Sequence, residues 1–189
     1  MTEISGFSKL FEFMTLVGQL KRIRRTGWIR KNVSDPESVS DHMYRMAVLA
    51  FLADPSLGLD RERCIKLSLV HDLAESIVGD LAPSDNVSKP EKRRREETAM
   101  NLIKDMVGGA IGQEFLQLWQ EYENVSSKEA EYVKDLDKFE MVLQAYEYEQ
   151  LDRKPKSLQE FFDSTKGHFT TRQVQNWMSE LEKIRENSS

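Results

Sequence analysis

Cys64-Ile65-Lys66-Leu67-Ser68-Leu69-Val70-His71-Asp72-Leu73-Ala74-Glu75 is an apolar stretch at helical spacing that carries a histidine followed directly by an aspartate. Asp60 precedes it in an N-cap position, so the pattern predicts a helix from there through Glu75. On that helix His71 falls on the buried side with Leu67 and Ala74. An imidazole and an ionised carboxylate are costly to bury unless something compensates them, and a divalent metal does so. The chain has only 3 histidines. A second one, His42, stands upstream in Ser40-Asp41-His42, on a helical face with Arg45, Met46 and Leu49. Downstream, Leu136-Asp137 places a further acid on a long helix. The predicted metal ligands are His42, His71, Asp72 and Asp137.

The flanking sequence reads as helix throughout, so the fold class is all-α. Leu10, Phe11, Met14, Leu16, Val17 and Leu20 recur at helical spacing and run into the basic segment Lys21 to Arg25, which suits a helix C-terminus. Gly27 is expected to break this helix, with a loop running to Ser40 before the His42 helix. Asp54-Pro55 and Gly58 close that helix. Gly79, Pro83 and Asn86 mark the loop after Glu75. Ser88-x-x-Glu91, with Pro90, predicts a capped helix to about Val107, which Gly108-Gly109 ends. A shorter helix holds Phe115, Leu116, Leu118 and Trp119. Ser126-x-x-Glu129 opens a long helix to about Asp152, and Ser157-x-x-Glu160 opens a short one. The last helix spans about 170–186, and Glu186 to Ser189 are expected to fray. The whole chain, 1–189, is read as one domain with its core at about 10–169. The expected architecture is a helical bundle with the metal site between its central helices.

Composition narrows the function. With 189 residues, 39% hydrophobic and 31% charged, the chain has the makings of a globular core. A net charge of −5 disfavours binding along a nucleic-acid backbone, so an anionic substrate needs a local basic patch. The single cysteine, Cys64, excludes an internal disulfide, fits a reducing compartment and reads as packing. Met1 to Phe7 has neither a basic start nor a long apolar run, and no stretch reaches a membrane span of roughly 20 apolar residues. The expectation is an intracellular protein, cytoplasmic with the nucleus left open, with no membrane or nucleic-acid partner.

Each site residue has an ordinary alternative. His42 suits a helix start, His71-Asp72 suits a satisfied core pair, and Asp137 suits a solvated acid. Two buried-side histidines with acids on three separate helices favour convergence on an ion. Imidazole and carboxylate suit several first-row divalent metals, and without thiolates a closed structural zinc site is disfavoured. Four protein ligands on an octahedral ion leave positions for water and substrate. Glu75 lies four residues past His71 and is predicted to point the same way. It is either a surface acid or the carboxylate that positions and activates the attacking water, and Asp80, after Gly79, is the second candidate for that role. Candidate phosphate contacts are Arg25, which with Arg30 flanks Trp28, and Lys89. The run Arg93-Arg94-Arg95 reads as a solvated face paired with Glu.

Glu37-Ser38-Val39-Ser40-Asp41-His42, His71-Asp72-Leu73-Ala74-Glu75 with Gly79-Asp80, and Leu136-Asp137 together resemble the HD-domain phosphohydrolases. The resemblance runs from about Leu10 to Phe169. It extends to Arg25-Thr26-Gly27-Trp28 and to Lys92 through Glu97, which resemble the 5′-deoxynucleotidase branch. It implies hydrolysis of deoxynucleoside 5′-monophosphates, a divalent ion (manganese, cobalt or magnesium) and a homodimer. It also implies that Glu75, Asp80 and the backbone at Leu81 can hold a second ion. The bacterial enzymes of this branch have an Arg-Trp pair in which Trp favours sugars lacking a 2′-hydroxyl. That implies a sugar-selecting role for Trp28, while Gly27 stands where their arginine would, leaving Arg25 for the phosphate. The rival readings are an HD enzyme acting on cyclic nucleotides or nucleoside triphosphates, and a non-catalytic nucleotide-binding module. An oxygenase is disfavoured, because a di-iron site normally wants more histidines than this chain has.

Overall fold

The computed structural model describes residues 3–82 and 85–187. Pro83 of the predicted loop lies outside them, as do Met1, Thr2, Ser188 and Ser189. The helices are α1 (Glu3–Val17), α2 (Thr26–Arg30), α3 (Val39–Ala50), α4 (Arg61–Val70), α5 (Glu75–Val78), α6 (Lys89–Val107), α7 (Gly109–Asn124), α8 (Lys128–Leu151), α9 (Gln159–Thr165) and α10 (Arg172–Asn187). Short 3₁₀ turns cover Gly18–Lys21 and Pro55–Leu57. No strand occurs among the described residues; one antiparallel bridge pairs Arg24 with Ser38. No helix among them is long and apolar enough to cross a membrane.

Three helices form the centre. α3 packs along α4, and α8 lies against both. Their facing residues, Met46, Leu67 and Leu136 among them, are fully buried and belong to one hydrophobic cluster with Met100, Ile103 and Trp119. α6 and α7 form a hairpin beside this centre, with α1 packed on α6 and α9 and α10 on α8. The α6–α7 approach is close enough that a Cβ on Gly112 would meet the Lys104 carbonyl oxygen, so only glycine fits there. Cys64 is buried, as packing requires, and burial pushes its thiol up to about 12.

Several boundaries differ from the sequence reading, each for a local reason. The first α-helix ends at Val17 rather than in the basic run, where the chain tightens into a 3₁₀ turn. Gly27 does not break a helix; it lies inside α2, within the span expected to be loop. α3 starts at Val39, inside the span expected to be loop, because Ser38 caps it in a full capping box with Asp41 that fixes the helix carrying His42. Ser127 rather than Ser126 caps α8: its hydroxyl oxygen accepts from the Ala130 amide at 3.0 Å and donates to Glu121 at 2.5 Å. Ser157 caps nothing: α9 starts after Leu158, whose amide is taken by Glu149. α7 is longer than expected because Gly108 and Gly109, both at positive φ, turn the chain straight into it. Glu186 and Asn187 remain helical, since Arg185 forms a buried double hydrogen bond to Glu149 at 2.8 and 2.9 Å.

The most consequential difference concerns α4. Its α-helical hydrogen bonding ends at Val70, and 71–74 pass through i→i+3 turns, with Leu73 N–H bonded to Val70 O and Glu75 N–H to Asp72 O. His71 Nδ1 takes the Ser68 carbonyl at 2.9 Å, the acceptor an unbroken helix would have offered to the Asp72 amide. At three residues per turn, positions i and i+3 eclipse. Glu75 therefore shares a face with Asp72 instead of with His71, correcting the predicted i,i+4 alignment.

Candidate active site

The site lies where α3, the α4–α5 turn and α8 meet. His42, His71 and Asp72 each offer a ligand atom within 4.8 Å of the others. His71 Nε2 is 3.1 Å from Asp72 Oδ2, and His42 Nε2 is 3.2 Å from Asp137 Oδ1 and 3.9 Å from Asp72 Oδ2. These short separations are not hydrogen bonds: His42 Nε2 and His71 Nε2 are buried with no hydrogen-bond partner, and Glu75 Oε2 is a third such atom. Buried polar atoms are nearly always partnered, so two bare imidazole nitrogens converging with Asp72 suit a cation, while Glu75 Oε2 is unpartnered on the cavity it shares with Asp72.

The far side of each ring fixes which nitrogen faces that point. His71 Nδ1 donates to the Ser68 carbonyl, leaving Nε2 as a lone pair. His42 Nδ1 lies 2.5 Å from Glu140 Oε2. Burial and the Arg25 charge oppose protonation of His42, but the carboxylates of Glu140 and Asp137 outweigh them and hold its pKa up at about 9. Asp137 Oδ2 accepts from the Tyr122 hydroxyl at 2.7 Å, which turns Oδ1 towards His42. Burial works against the Asp72 charge, yet His71 and His42 keep it below the usual carboxylate range. Burial first, then the charges of Asp72 and Asp80, push Glu75 well above that range. A divalent cation would relieve all of these at once, by joining the bare nitrogens and balancing the acids. The donor set of His42, His71, Asp72 and Asp137 fits one. Glu37, His42 and Glu140 also converge within 4.8 Å. There, however, Arg45 pairs with Glu140 at 2.7 Å, and Glu37 accepts from Trp28 Nε1 at 2.9 Å. That side supports the ring rather than holding an ion.

Two cavities open on the centre and share Asp72, Lys92 and Asp137. One, of about 270 Å³, is lined by Arg25, Trp28, Glu75, Asp80, Leu81 and Phe161 among others. The other, of about 380 Å³, has His71, Tyr122 and the bases Lys89, Arg93 and Lys134 in its wall. Arg25 reaches Asp72 at 3.5 Å, and Lys89 faces the second cavity rather than the first. Asp80 Oδ2 accepts from the Thr26 amide at 2.5 Å, tying the loop to the start of α2. Gly79, at φ +76°, makes that reversal. The Leu81 carbonyl accepts from Lys92 Nζ at 3.3 Å. Trp28 is 1% exposed and packs on Phe161 and Tyr148, so it is core and cavity wall together. Arg94 and Arg95 pair with Glu91, as a solvated helix face does; Arg30 pairs with Asp85.

Sequence reasoning missed Glu140, Glu37, Tyr122 and Lys92. Glu140 carried a signal: it stands one turn past Asp137 and faces the same neighbour. Tyr122 had none, because only folding brings α7 to α8.

Residues 17–177 match the HD domain family. The chain belongs to that family. Among relatives of this HD-domain protein, the human protein named 5′-deoxynucleotidase HDDC2 is 54% identical over 177 residues, covering 94% of this chain and 86% of the human one. A Saccharomyces cerevisiae protein, also named a 5′-deoxynucleotidase, is 40% identical over 176 residues, covering 91% of this chain and 73% of its own. Among solved structures, a conserved hypothetical protein from Pyrococcus furiosus superimposes with a TM-score of 0.74 at 33% identity, covering 93% of this HD-domain chain and 99% of its own.

Proposed function

We propose that this HD-domain protein is a metal-dependent 5′-deoxynucleotidase that hydrolyses deoxynucleoside 5′-monophosphates to deoxynucleoside and phosphate. The observation that carries the reading is the likeness across nearly the whole chain to proteins named for that activity. The buried orphan donors beside an aromatic-walled cavity supply the chemistry it needs. Manganese, cobalt or magnesium at His42, His71, Asp72 and Asp137 would supply Lewis acidity and lower the pKa of a water. Around that centre the chain's own groups divide the work. Arg25 offsets charge on the phosphate. Glu75, whose basicity burial raises, takes the proton of the attacking water as its oxygen bonds to phosphorus, and the 5′-oxygen leaves with the electron pair of the broken bond and takes up a proton from solvent. Asp80 fixes the loop beside it, and the carboxylates of Glu75 and Asp80 with the Leu81 carbonyl would hold a second, weaker ion. Lys89 draws anions to the second opening.

Phosphate release from a panel of mono-, di-, tri- and cyclic nucleotides, in each of the three metals, tests this. Preferential turnover of deoxynucleoside monophosphates is expected. Turnover of triphosphates or cyclic nucleotides alone would assign another HD phosphohydrolase, and tight binding without turnover would assign a sensor.

Trp28 is the proposed sugar wall. Trp28→Ala is expected to cost about 3–5 kcal/mol of stability, because a fully buried indole is lost. Trp28→Phe keeps more of that packing and still opens room for a 2′-hydroxyl. In both, kcat/KM for AMP relative to dAMP is expected to rise, by roughly tenfold. An unchanged ratio in folded, metal-loaded protein would leave Trp28 a core residue only.

A homodimer is part of the same reading. α1 exposes Phe7, Phe11 and Met14, an apolar stripe suited to a second copy. Sedimentation velocity is expected to give twice the chain mass for the natural protein and one chain mass for Phe11→Glu. The lone, buried Cys64 supports a reducing, cytoplasmic setting.

A further inference from the structure

Asp137, Glu140, Gln144 and Glu147 form one stripe down α8, and His42 and Arg45 face it from α3. Glu140 is fully buried and is used at both ends. Its Oε2 lies 2.5 Å from His42 Nδ1. Its Oε1 accepts from Arg45 Nε at 2.8 Å and lies in ion-pair contact with Nη2 at 2.7 Å. Arg45 is itself held by Glu147 and Gln144, each at 2.6 Å. Arg45 and Gln144 also border a cavity of about 620 Å³, but the buried Glu140 acts on the imidazole it grips.

We propose that Glu140 is a positioning residue that fixes His42 as the tautomer with a bare Nε2, and that Arg45 locks Glu140 in that role. The proposal rests on the reading of His42 as a metal ligand. A carboxylate has only acceptors, so against Glu140 the His42 Nδ1 must carry a proton, and Nε2 is the nitrogen offered to a cation, which displaces any proton there. Arg45 has only donors and saturates Oε1, so the carboxylate has no reason to turn away.

The arrangement makes an unusual forecast for Glu140→Gln. The amide oxygen is drawn to the donor fork of Arg45, which puts the amide NH₂ against His42 Nδ1. Two donors cannot face each other there, so Nδ1 becomes the acceptor and the proton moves to Nε2, which the metal needs. Removing the fork as well, in Glu140→Gln with Arg45→Leu, lets the amide turn its oxygen back to Nδ1. A mere loss of packing would make the double variant worse than the single one.

The test is Mn²⁺ titration of chelator-treated protein, with ¹⁵N resonances of His42 recorded in the Mg²⁺-loaded form. The Kd for Mn²⁺ is expected to rise about 10–100-fold in Glu140→Gln and to recover in part in the double variant. Wild type is expected to show a proton on Nδ1. A Kd within twofold of wild type in Glu140→Gln, or a double variant no better than the single, would overturn the proposal. If either variant fails to fold, the wild-type spectrum decides, and an Nδ1 without a proton overturns it. Absence of Mn²⁺ binding by wild type would instead overturn the ligand reading, and this proposal with it.

Discussion

Glu75→Gln is expected to retain metal and to lose turnover by a factor of ~10²–10⁴, the range for loss of a general base. Glu75 is 2% exposed, and its Oε2 has no partner although it borders the cavity. A stability-minded fold would not keep such a group. Burial and the neighbouring charges of Asp72 and Asp80 disfavour its ionised form, which makes it a stronger base than a surface glutamate. Glutamine keeps the shape and removes the basicity. It also removes the cost of the buried charge, so the chelated variant is expected to melt above chelated wild type. Slow turnover with a raised melting temperature would separate a catalytic role from a structural one. Turnover within a few-fold of wild type would end the proposed role.

Asp72→Ala and His71→Ala are expected to abolish both bound metal and phosphate release. Among the described residues Asp72 is the one acid within 4 Å of both histidine nitrogens, at 3.1 and 3.9 Å, and it also anchors Arg25 at 3.5 Å. Losing it removes a ligand, a counter-charge and the tether of the phosphate-binding arginine. Metal-loaded wild type should melt higher than its chelated form, since a ligand bound only by the folded state stabilises it, at about 2.7 kcal/mol when present at 100 times its Kd. That increment should vanish in both variants. Full metal occupancy in Asp72→Ala would sink the ligand assignment.

The convergence of His42, His71, Asp72 and Asp137 was legible because burial of His71 and His42 followed from helical spacing, and because charged groups in such positions need a partner. The all-α class was legible for the same reason. The orientation of Glu75 was not. It turns on the competition of one imidazole for the Ser68 carbonyl, which converts an α-helix into i→i+3 turns and moves Glu75 from the His71 face to that of Asp72. Spacing rules assume a continuous helix and cannot register that competition. α2 was hidden by Gly27, which reads as a breaker but accommodates the Phe161 ring, 3.5 Å from where a Cβ would sit. Arg45 was visible on the His42 face, yet its purpose depends on Glu140, Gln144 and Glu147 arriving from α8, far along the chain.

Phosphate release from dAMP by chelator-treated protein, before and after Mn²⁺, Co²⁺ or Mg²⁺ is returned, tests the central claim most directly. The account predicts no release from the stripped protein, restored release on adding metal to wild type, and none on adding metal to Asp72→Ala. Release from stripped wild type equal to that of the reloaded protein, or full recovery in Asp72→Ala, would contradict it.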